Sequence, residues 1–99
     1  MDYNFEWDPS KARSNRDKHA VAFEEAASVF QDPRAATMYD PDHSQTEERW
    51  ITLGISSSGR LLVVCHTFHD ESGEAAAIQI YSARKASRDE TKIYERTQS

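Results

Sequence analysis

The first residues that could do chemistry are a group of cations with a histidine near the amino terminus. Lys11, Asn15 and Lys18 are spaced i, i+4 and i+7, which places them on one side of a helix. His19 follows at the end of the same segment. Such a face can bind a phosphate, and a histidine, which titrates near neutrality, can act as general acid or base. The alternative is a solvated helix whose histidine caps the last carbonyl groups.

A second candidate group lies where a strand is predicted to begin. If Glu48 and Trp50 share one face of that strand, Arg49 points to the other. An arginine on a strand is held more rigidly than one on a loop, so it offers fixed donors to a phosphorane. Glu48 is a second candidate for proton transfer. The alternative is a cross-strand ion pair, which contributes little to stability.

A third group follows the last predicted strand. Arg84 and Lys85 lie within Ser82–Ala86, just before a predicted helix whose free backbone N–H groups favour anions. An anion site fits this pattern. A basic hinge that contacts an acidic partner, or an acidic loop of the same chain, fits it equally well.

Metal binding is not expected from the histidines and the cysteine. His66 and His69 are three apart on a predicted strand, so they point to opposite faces and chelate poorly. The one cysteine, Cys65, cannot supply a thiolate set. Cys65 and His66 diverge as adjacent strand residues, which argues against a nucleophile–base pair. We therefore expect no metal and no other cofactor.

Length and composition indicate one small domain, residues 1–99, with a net charge of −5. That charge argues mildly against a nucleic-acid binder, although the basic residues gather on two predicted helices. A single cysteine fits a reducing compartment. The first residues lack the features of a signal peptide, and the longest apolar run, Leu61–Cys65, is too short to span a bilayer. We expect a soluble cytoplasmic protein without membrane contact.

Hydrophobic periodicity predicts the elements that must position these groups. Asp8-Pro9 opens a helix from residue 9 to about 18, and an apolar stripe from Phe23 to Phe30 predicts a second helix that ends at Asp32-Pro33. Strands are predicted near residues 5–7, 35–39, 51–55, 60–68 and 76–81. A capping box at residues 87–90 opens a terminal helix. We expect an α+β fold, with two N-terminal helices and a C-terminal helix packed on a small antiparallel sheet.

Several strings of the sequence together resemble one protein family. They are Phe5–Pro9 with Lys11-Ala12, Asn15, Lys18-His19 and Phe23–Ala26; then Asp42–Ser44 with Glu48-Arg49; and finally Gly59–Val64 and Ser82–Ala86 with Glu90 and Tyr94. In this order and spacing, which covers nearly the whole chain, they are similar to the BrnT toxins of bacterial type II toxin–antitoxin systems.

This resemblance implies a RelE-like fold and a metal-independent ribonuclease activity that blocks translation. It also implies a protein partner, a BrnA-type antitoxin with a DNA-binding ribbon–helix–helix part. The hetero-oligomer would then repress its own operon, so that DNA is contacted only through the antitoxin. The alternative is an inactive antitoxin-binding module that acts as a transcriptional co-repressor.

Chemistry and motif position together assign roles to eight residues. The catalytic residues we expect are His19, Glu48, Arg49 and Arg84, and the RNA-binding residues are Lys11, Lys18, Arg60 and Lys85. A base would take the proton of an RNA 2′-OH, the arginines would stabilise the phosphorane, and an acid would protonate the leaving 5′-oxygen.

The chain departs from the family pattern at several positions. Family members tend to carry glycine where Ala20 stands, serine where Ala22 stands and arginine where Gln79 stands, and their terminal helix is usually more basic. The last two changes remove positive charge from the surface expected to meet RNA.

Overall fold

The computed structural model describes residues 2–70 and 73–96 as eleven short elements. The strands are β1 Asp2–Glu6, β2 Ala36–Tyr39, β3 Trp50–Ile55, β4 Leu61–His66, β5 His69–Asp70 and β6 Ala75–Lys85. The α-helices are α1 Pro9–His19, α2 Phe23–Ser28 and α3 Arg88–Arg96, and single 3₁₀ turns cover Val29–Gln31 and Pro41–His43. The fold is therefore α+β. No helix in the described ranges is long and apolar enough to cross a membrane.

The strands form one mixed sheet in the order β1-β6-β4-β3-β2, with β5 also paired to β6. The expected antiparallel sheet is wrong at one edge, because β1 runs parallel to β6, with Tyr3 opposite Ala76. The other pairs are antiparallel. Nearly the whole chain separates β1 from β6, so no tight hairpin imposes the direction of their pairing. Sequence alternation alone carries no information about that direction.

Several predicted boundaries are also corrected. The last strand continues to Lys85 instead of ending at Tyr81, and β5 was not predicted. The stripe expected to form one helix to Phe30 forms α2 to Ser28 and then a 3₁₀ turn. The end of β6 is polar, and it remains a strand because β4 pairs with it as far as Lys85.

The hydrophobic core lies between α2 and one face of the sheet. Its buried members are Val21, Phe23, Ala26, Val29, Leu62, Val64, Ile78, Ile80 and Ala83, with Phe5, Trp7, Ala12, Ala27 and Phe30 packed against them. The apolar stripe predicted for α2 thus faces inward. Burial of this apolar surface is the main force that holds α2 on the sheet.

An irregularity in β6 changes which side chains face the core. Ile80 pairs with His66 and Ser82 pairs with Cys65, so Tyr81 is an extra residue without a partner on β4. Burial accordingly alternates through Ile78 and Ile80 and then resumes at Ala83. Such bulges re-aim a side chain. Here the bulge removes Tyr81 from the regular alternation of the strand.

The helix α1 is almost entirely polar and is held by one buried side chain. The Asn15 amide donates to the carbonyl oxygens of Val21 (3.0 Å) and Ala83 (2.9 Å), and its oxygen accepts from the Ala83 N–H (3.0 Å). β1 pairs with β6 only as far as Gln79, so Asn15 fills the edge that β1 leaves open. The amide therefore acts as a short continuation of the sheet.

The end of α1 shows why glycine is the residue expected at position 20. Ala20 caps the helix in the left-handed conformation, with φ 57° and ψ 35°, and its N–H donates to the Arg16 carbonyl. Glycine adopts this conformation without the steric cost that a Cβ adds. The N-cap of the next helix, α2, is Ala22, which makes no side-chain capping hydrogen bond.

An ion pair ties α2 to the turn between β3 and β4. The Glu25 carboxylate accepts from Arg60 Nε (2.9 Å) and Nη2, and from the Ser56 hydroxyl (2.7 Å). Arg60 Nη2 also donates to the Ala20 carbonyl (3.1 Å). The Arg60 hydrogen bonds hold the pKa of Glu25 at about 2 despite partial burial. Arg60, expected to bind RNA, thus already has a carboxylate partner.

The helix α3 is tied to Asp32, in the segment that follows α2, and through it to the end of β3. Tyr94 donates to Asp32 Oδ2 (2.6 Å), which also accepts from the Ile55 N–H (2.8 Å). Burial and the Asp32 bond raise the pKa of Tyr94 to about 12. Tyr94 therefore stays a donor at any physiological pH.

Replacing Asn15 with alanine is expected to destabilise the protein by about 3 kcal/mol, because buried backbone groups of Ala83 and Val21 lose their partner. Urea denaturation at neutral pH measures the change. The exposed neighbour Ser14→Ala is the control and should stay within about 0.5 kcal/mol of the wild type. Equal stability of the two variants would contradict the anchoring role of Asn15.

The Glu25–Arg60 pair predicts a pH dependence of stability. The pKa of Glu25 is lowered from 4.5 to about 2 on folding, so its contribution is complete above pH 4.5 and is lost as the pH falls towards 2. Glu25→Gln should cost roughly 2 kcal/mol at pH 7 and flatten the decline of the urea midpoint over that interval. Glu24→Gln, an exposed neighbour on α2, should leave the slope unchanged. Parallel pH profiles for wild type and Glu25→Gln would refute this account.

Candidate functional site

Two cavities have Tyr81 and Ser82 in both of their linings, and we name the pair of cavities the Tyr81 cleft. The first, of about 280 Å³, is further lined by Lys11, Ser14, Asn15, Lys18 and His19 of α1. The second, of about 250 Å³, is further lined by Asp40, His43, Arg49 and Cys65. The polar face of α1 thus lines one cavity, and the loop between β2 and β3 lines the other.

Tyr81 is the centre of the cleft, because its ring contacts cations from two elements. Arg49 Cζ lies 4.0 Å from the ring centroid and Lys11 Nζ lies 5.2 Å from it. Both are distances at which a cation is attracted to an aromatic ring. The Tyr81 hydroxyl donates to the Glu47 carboxylate. Burial, and then this bond, raise the pKa of Tyr81, so the hydroxyl stays protonated at neutral pH.

Arg49 has spare hydrogen-bonding capacity in this position. Its Nη2 lies 3.6 Å from Glu47 Oε1, and its side chain is 32% exposed. Its Nε is buried and has no hydrogen-bond partner in the part of the chain that the structure describes. A buried donor without a partner costs free energy. The exposed part of the Arg49 side chain is what an anion in the cavity could contact.

The loop that carries Arg49 is closed by hydrogen bonds near its two ends. The Asp40 N–H donates to the Arg49 carbonyl (2.9 Å). The Ser44 hydroxyl donates to the Asp40 carbonyl (2.5 Å) and accepts from the Arg49 N–H (3.0 Å). Within the loop, His43 Nδ1 lies 2.7 Å from Asp40 Oδ2. The loop therefore presents Arg49 and His43 to the same cavity.

Four of the eight predicted site residues line one or the other of the two cavities. Lys11, Lys18 and His19 line the α1 side of the cleft, and Arg49 lines the other side. The helical spacing that predicted the α1 face is the reason that its three residues meet one cavity. Proximity of this face to Arg49 depends on the packing of α1 against β6.

The other four predicted residues lie outside the two cavities. Arg84 makes a bidentate bond to Glu90, with both N–O distances 2.7 Å, and Arg60 is bound to Glu25. Glu48 and Lys85 are exposed. None of these four residues lines the Tyr81 cleft.

The Arg84–Glu90 bond belongs to the start of α3. Glu90 also accepts from the Ser87 N–H (2.8 Å), and the Glu90 N–H donates to the Ser87 hydroxyl (3.2 Å), which completes the predicted capping box. The Arg84 bonds hold the pKa of Glu90 at about 2. Arg84 thus connects β6 to the first turn of α3.

Sequence reasoning missed Asp40, His43 and Tyr81 of the cleft, and also Glu47, which accepts from the Tyr81 hydroxyl. Glu47 could have been found from the sequence, because the strand alternation that puts Arg49 and Glu48 on different faces puts Glu47 on the same face as Arg49. Asp40 and His43 are three apart beside a proline, a spacing that allows contact but does not require it. Tyr81 carried no signal, since its orientation depends on the bulge opposite β4.

His66 belongs to a different, apolar part of the structure. Its Nδ1 donates to the Thr67 carbonyl (2.8 Å), so its Nε2 accepts from the Thr52 hydroxyl (2.7 Å). Burial lowers the pKa of His66, which keeps the ring neutral. The ring packs edge-on against Phe30, with 4.9 Å between centroids. Both ring nitrogens are used, so His66 is a structural residue.

Comparisons with known proteins place the chain in a family. The model of the family described as "ribonuclease toxin, BrnT, of type II toxin-antitoxin system" matches residues 7–90. The fold is similar to the crystal structure of the Brucella abortus ribonuclease toxin BrnT. That match has a TM-score of 0.56 and 19% sequence identity, and it covers 89% of this chain and 100% of that one. No curated protein matches the chain in sequence.

Arg84 should contribute to the stability of the protein through its bond to Glu90. Arg84→Ala and Glu90→Gln should show a coupling free energy of about 1 kcal/mol in a double-mutant cycle, because their bidentate bond is partly exposed. Lys92, two positions further along α3 and so on another face, supplies the control cycle with Glu90, where no coupling is expected. Absence of Arg84–Glu90 coupling in urea denaturation would show that the bond does not hold α3.

Proposed function

Because the chain belongs to the family of BrnT ribonuclease toxins of type II toxin–antitoxin systems, we propose that it is a ribonuclease toxin that cleaves RNA in the Tyr81 cleft. One observation carries this proposal. Arg49, with a buried Nε that lacks a partner within the described residues, lines one cavity of the cleft, and the cations and the histidine of α1 line the other, with Tyr81 and Ser82 common to both. A phosphodiester is the kind of anion that such a set of donors would bind.

The proposed reaction needs no metal. A general base removes the proton of a 2′-OH, and the oxygen forms a bond to the adjacent phosphorus. The bond from phosphorus to the 5′-oxygen breaks, and a general acid protonates that oxygen. The products are a 2′,3′-cyclic phosphate and a 5′-hydroxyl. Loss of messenger RNA would then stop translation.

The residues around the cleft support separate roles in this reaction. We assign proton exchange to His19, which lines one cavity, and neutralisation of the phosphorane charge to Arg49, which lines the other. Lys11 and Lys18 hold neighbouring phosphates of the RNA backbone.

Arg49 takes the role that the sequence assigned jointly to Arg49 and Arg84, because the donors of Arg84 already bind Glu90. Arg60 is likewise bound to Glu25 and is left out of the reaction. Glu48 and Lys85 remain candidates for contacts with RNA outside the cleft, since both are exposed.

The family also supports a protein partner. A type II toxin is held inactive by an antitoxin protein, and we propose a BrnA-type antitoxin that forms a hetero-oligomer with this chain in the cytoplasm. The complex would contact operator DNA through the ribbon–helix–helix part of the antitoxin. The proposal includes a RelE-like arrangement of the helices on the sheet.

A second function is favoured by the charge of the protein. The net charge is −5, the exposed Gln79 replaces an expected arginine, and α3 carries Asp89 and Glu90 in its first turn. An RNA-binding surface would be more basic. The chain would then bind the antitoxin and act as a co-repressor without cleaving RNA.

Expression of the chain alone, and together with its neighbouring gene, tests both functions. Growth arrest with loss of intact RNA, relieved by the neighbour, is the result expected of a ribonuclease toxin. Normal growth and intact RNA from folded, well-expressed protein would exclude the ribonuclease toxin and favour the inactive binding module.

Substitutions in the purified protein test the site itself. Arg49→Ala should slow RNA cleavage by about 100-fold or more, and His19→Ala by a similar factor, because each removes a group that acts in the transition state. Arg13→Ala is the matched control, since Arg13 is an exposed cation of α1 outside the cleft. Circular dichroism and urea midpoints establish that the variants fold. Full activity of Arg49→Ala would refute the site.

A further inference from the structure

A second histidine faces the cleft from the loop between β2 and β3. His43 lines the same cavity as Arg49 and Tyr81, and its Nδ1 lies 2.7 Å from Asp40 Oδ2. The two partners differ in exposure: the side chain of Asp40 is 11% exposed and that of His43 is 68% exposed. A buried carboxylate thus holds an imidazole that substrate can reach.

The bond to Asp40 determines which nitrogen of His43 can accept a proton. A carboxylate accepts hydrogen bonds, so Nδ1 carries the hydrogen and Nε2 of the neutral ring carries the lone pair. The pair therefore has the tautomer and the orientation that a general base requires.

Hydrogen bonds within the loop also tie Asp40, the partner of this base, to Arg49, the phosphate-binding cation. Asp40 and Arg49 are joined through their backbone, and Ser44 bonds both of them. The ionisable groups that line the cavity with His43 are Asp40, Arg49, Cys65 and Tyr81. A phosphodiester bound at Arg49 would lie in the cavity that the imidazole also lines.

We propose that His43 is the general base of RNA cleavage and that Asp40 is its positioning residue. This assignment rests on the proposed function. His43 Nε2 takes the proton of the 2′-OH as the 2′-oxygen bonds to phosphorus. The bond to the 5′-oxygen breaks, and His19, on the α1 side of Tyr81, gives that oxygen a proton. Arg49 balances the added charge on the phosphorane.

The test uses the purified full chain and a short RNA with a single cleavable linkage. His43→Gln should lower the single-turnover rate by about 100-fold, because glutamine cannot accept the proton. Asp40→Asn should lower it by about tenfold or more and shift the acidic limb of the pH–rate profile, since the imidazolium loses its carboxylate. Asp42→Asn makes the same change at an exposed position of the loop and should match the wild type.

A substrate with sulfur in place of the 5′-bridging oxygen separates base from acid. Sulfur leaves without protonation, so this RNA should restore the rate of His19→Ala but not that of His43→Gln. His43 is exposed, so added imidazole should partly restore His43→Ala, which a purely structural role would not allow.

Each outcome is decisive. A His43→Gln protein that cleaves within threefold of the wild type overturns the assignment, as does rescue of His43→Gln by the sulfur substrate. If the wild type itself cleaves no RNA, the proposed function fails and this assignment fails with it. Urea midpoints of the variants show whether a lost rate reflects a lost fold.

Discussion

The Asn15 amide is the contact on which the arrangement of the cleft depends. It takes the place of a neighbouring strand at Ala83, where β1 no longer covers the edge of β6. Almost no apolar side chain holds α1 to the sheet, because Ala12 is the one residue of the helix packed against the core. A buried amide that satisfies both polar groups of one strand residue fixes the position and the rotation of α1.

The position of α1 in turn determines which side chains contact Tyr81 at the bulge in β6. Tyr81 leaves the regular alternation of its strand and contacts Lys11 from α1 and Arg49 from the loop before β3. The ring thus attracts one cation from each of two elements, and its hydroxyl bond to Glu47 adds a carboxylate.

The protein uses its arginines in two distinct ways. Arg60 and Arg84 are bound to carboxylates that fasten α2 and α3, and both carboxyl pKa values fall to about 2. Arg49 approaches Glu47 only at 3.6 Å and keeps one buried donor without a partner in the described part of the chain. The net charge of −5 is a sum over the whole chain, so it is compatible with a local group of cations at the cleft, where Lys11, Lys18 and Arg49 lie.

The sequence by itself determined the features that depend on neighbours a few residues apart. Asp8 caps α1, the stripe that starts at Phe23 faces the core, and Ser87 and Glu90 form a capping box. The side of α1 that carries Lys11, Lys18 and His19 was also predictable, since the helical period alone places them together. Each of these features depends on backbone geometry within one or two turns.

The tertiary structure decided everything that depends on pairing between distant segments. The parallel direction of β1, the bulge at Tyr81 and the carboxylate partners of Arg60 and Arg84 follow from packing and register. A shift of one residue in a strand moves a side chain to the other face, and no local pattern fixes that shift in the polar end of β6. The composition of the cleft was therefore partly present in the sequence, whereas its assembly required the fold.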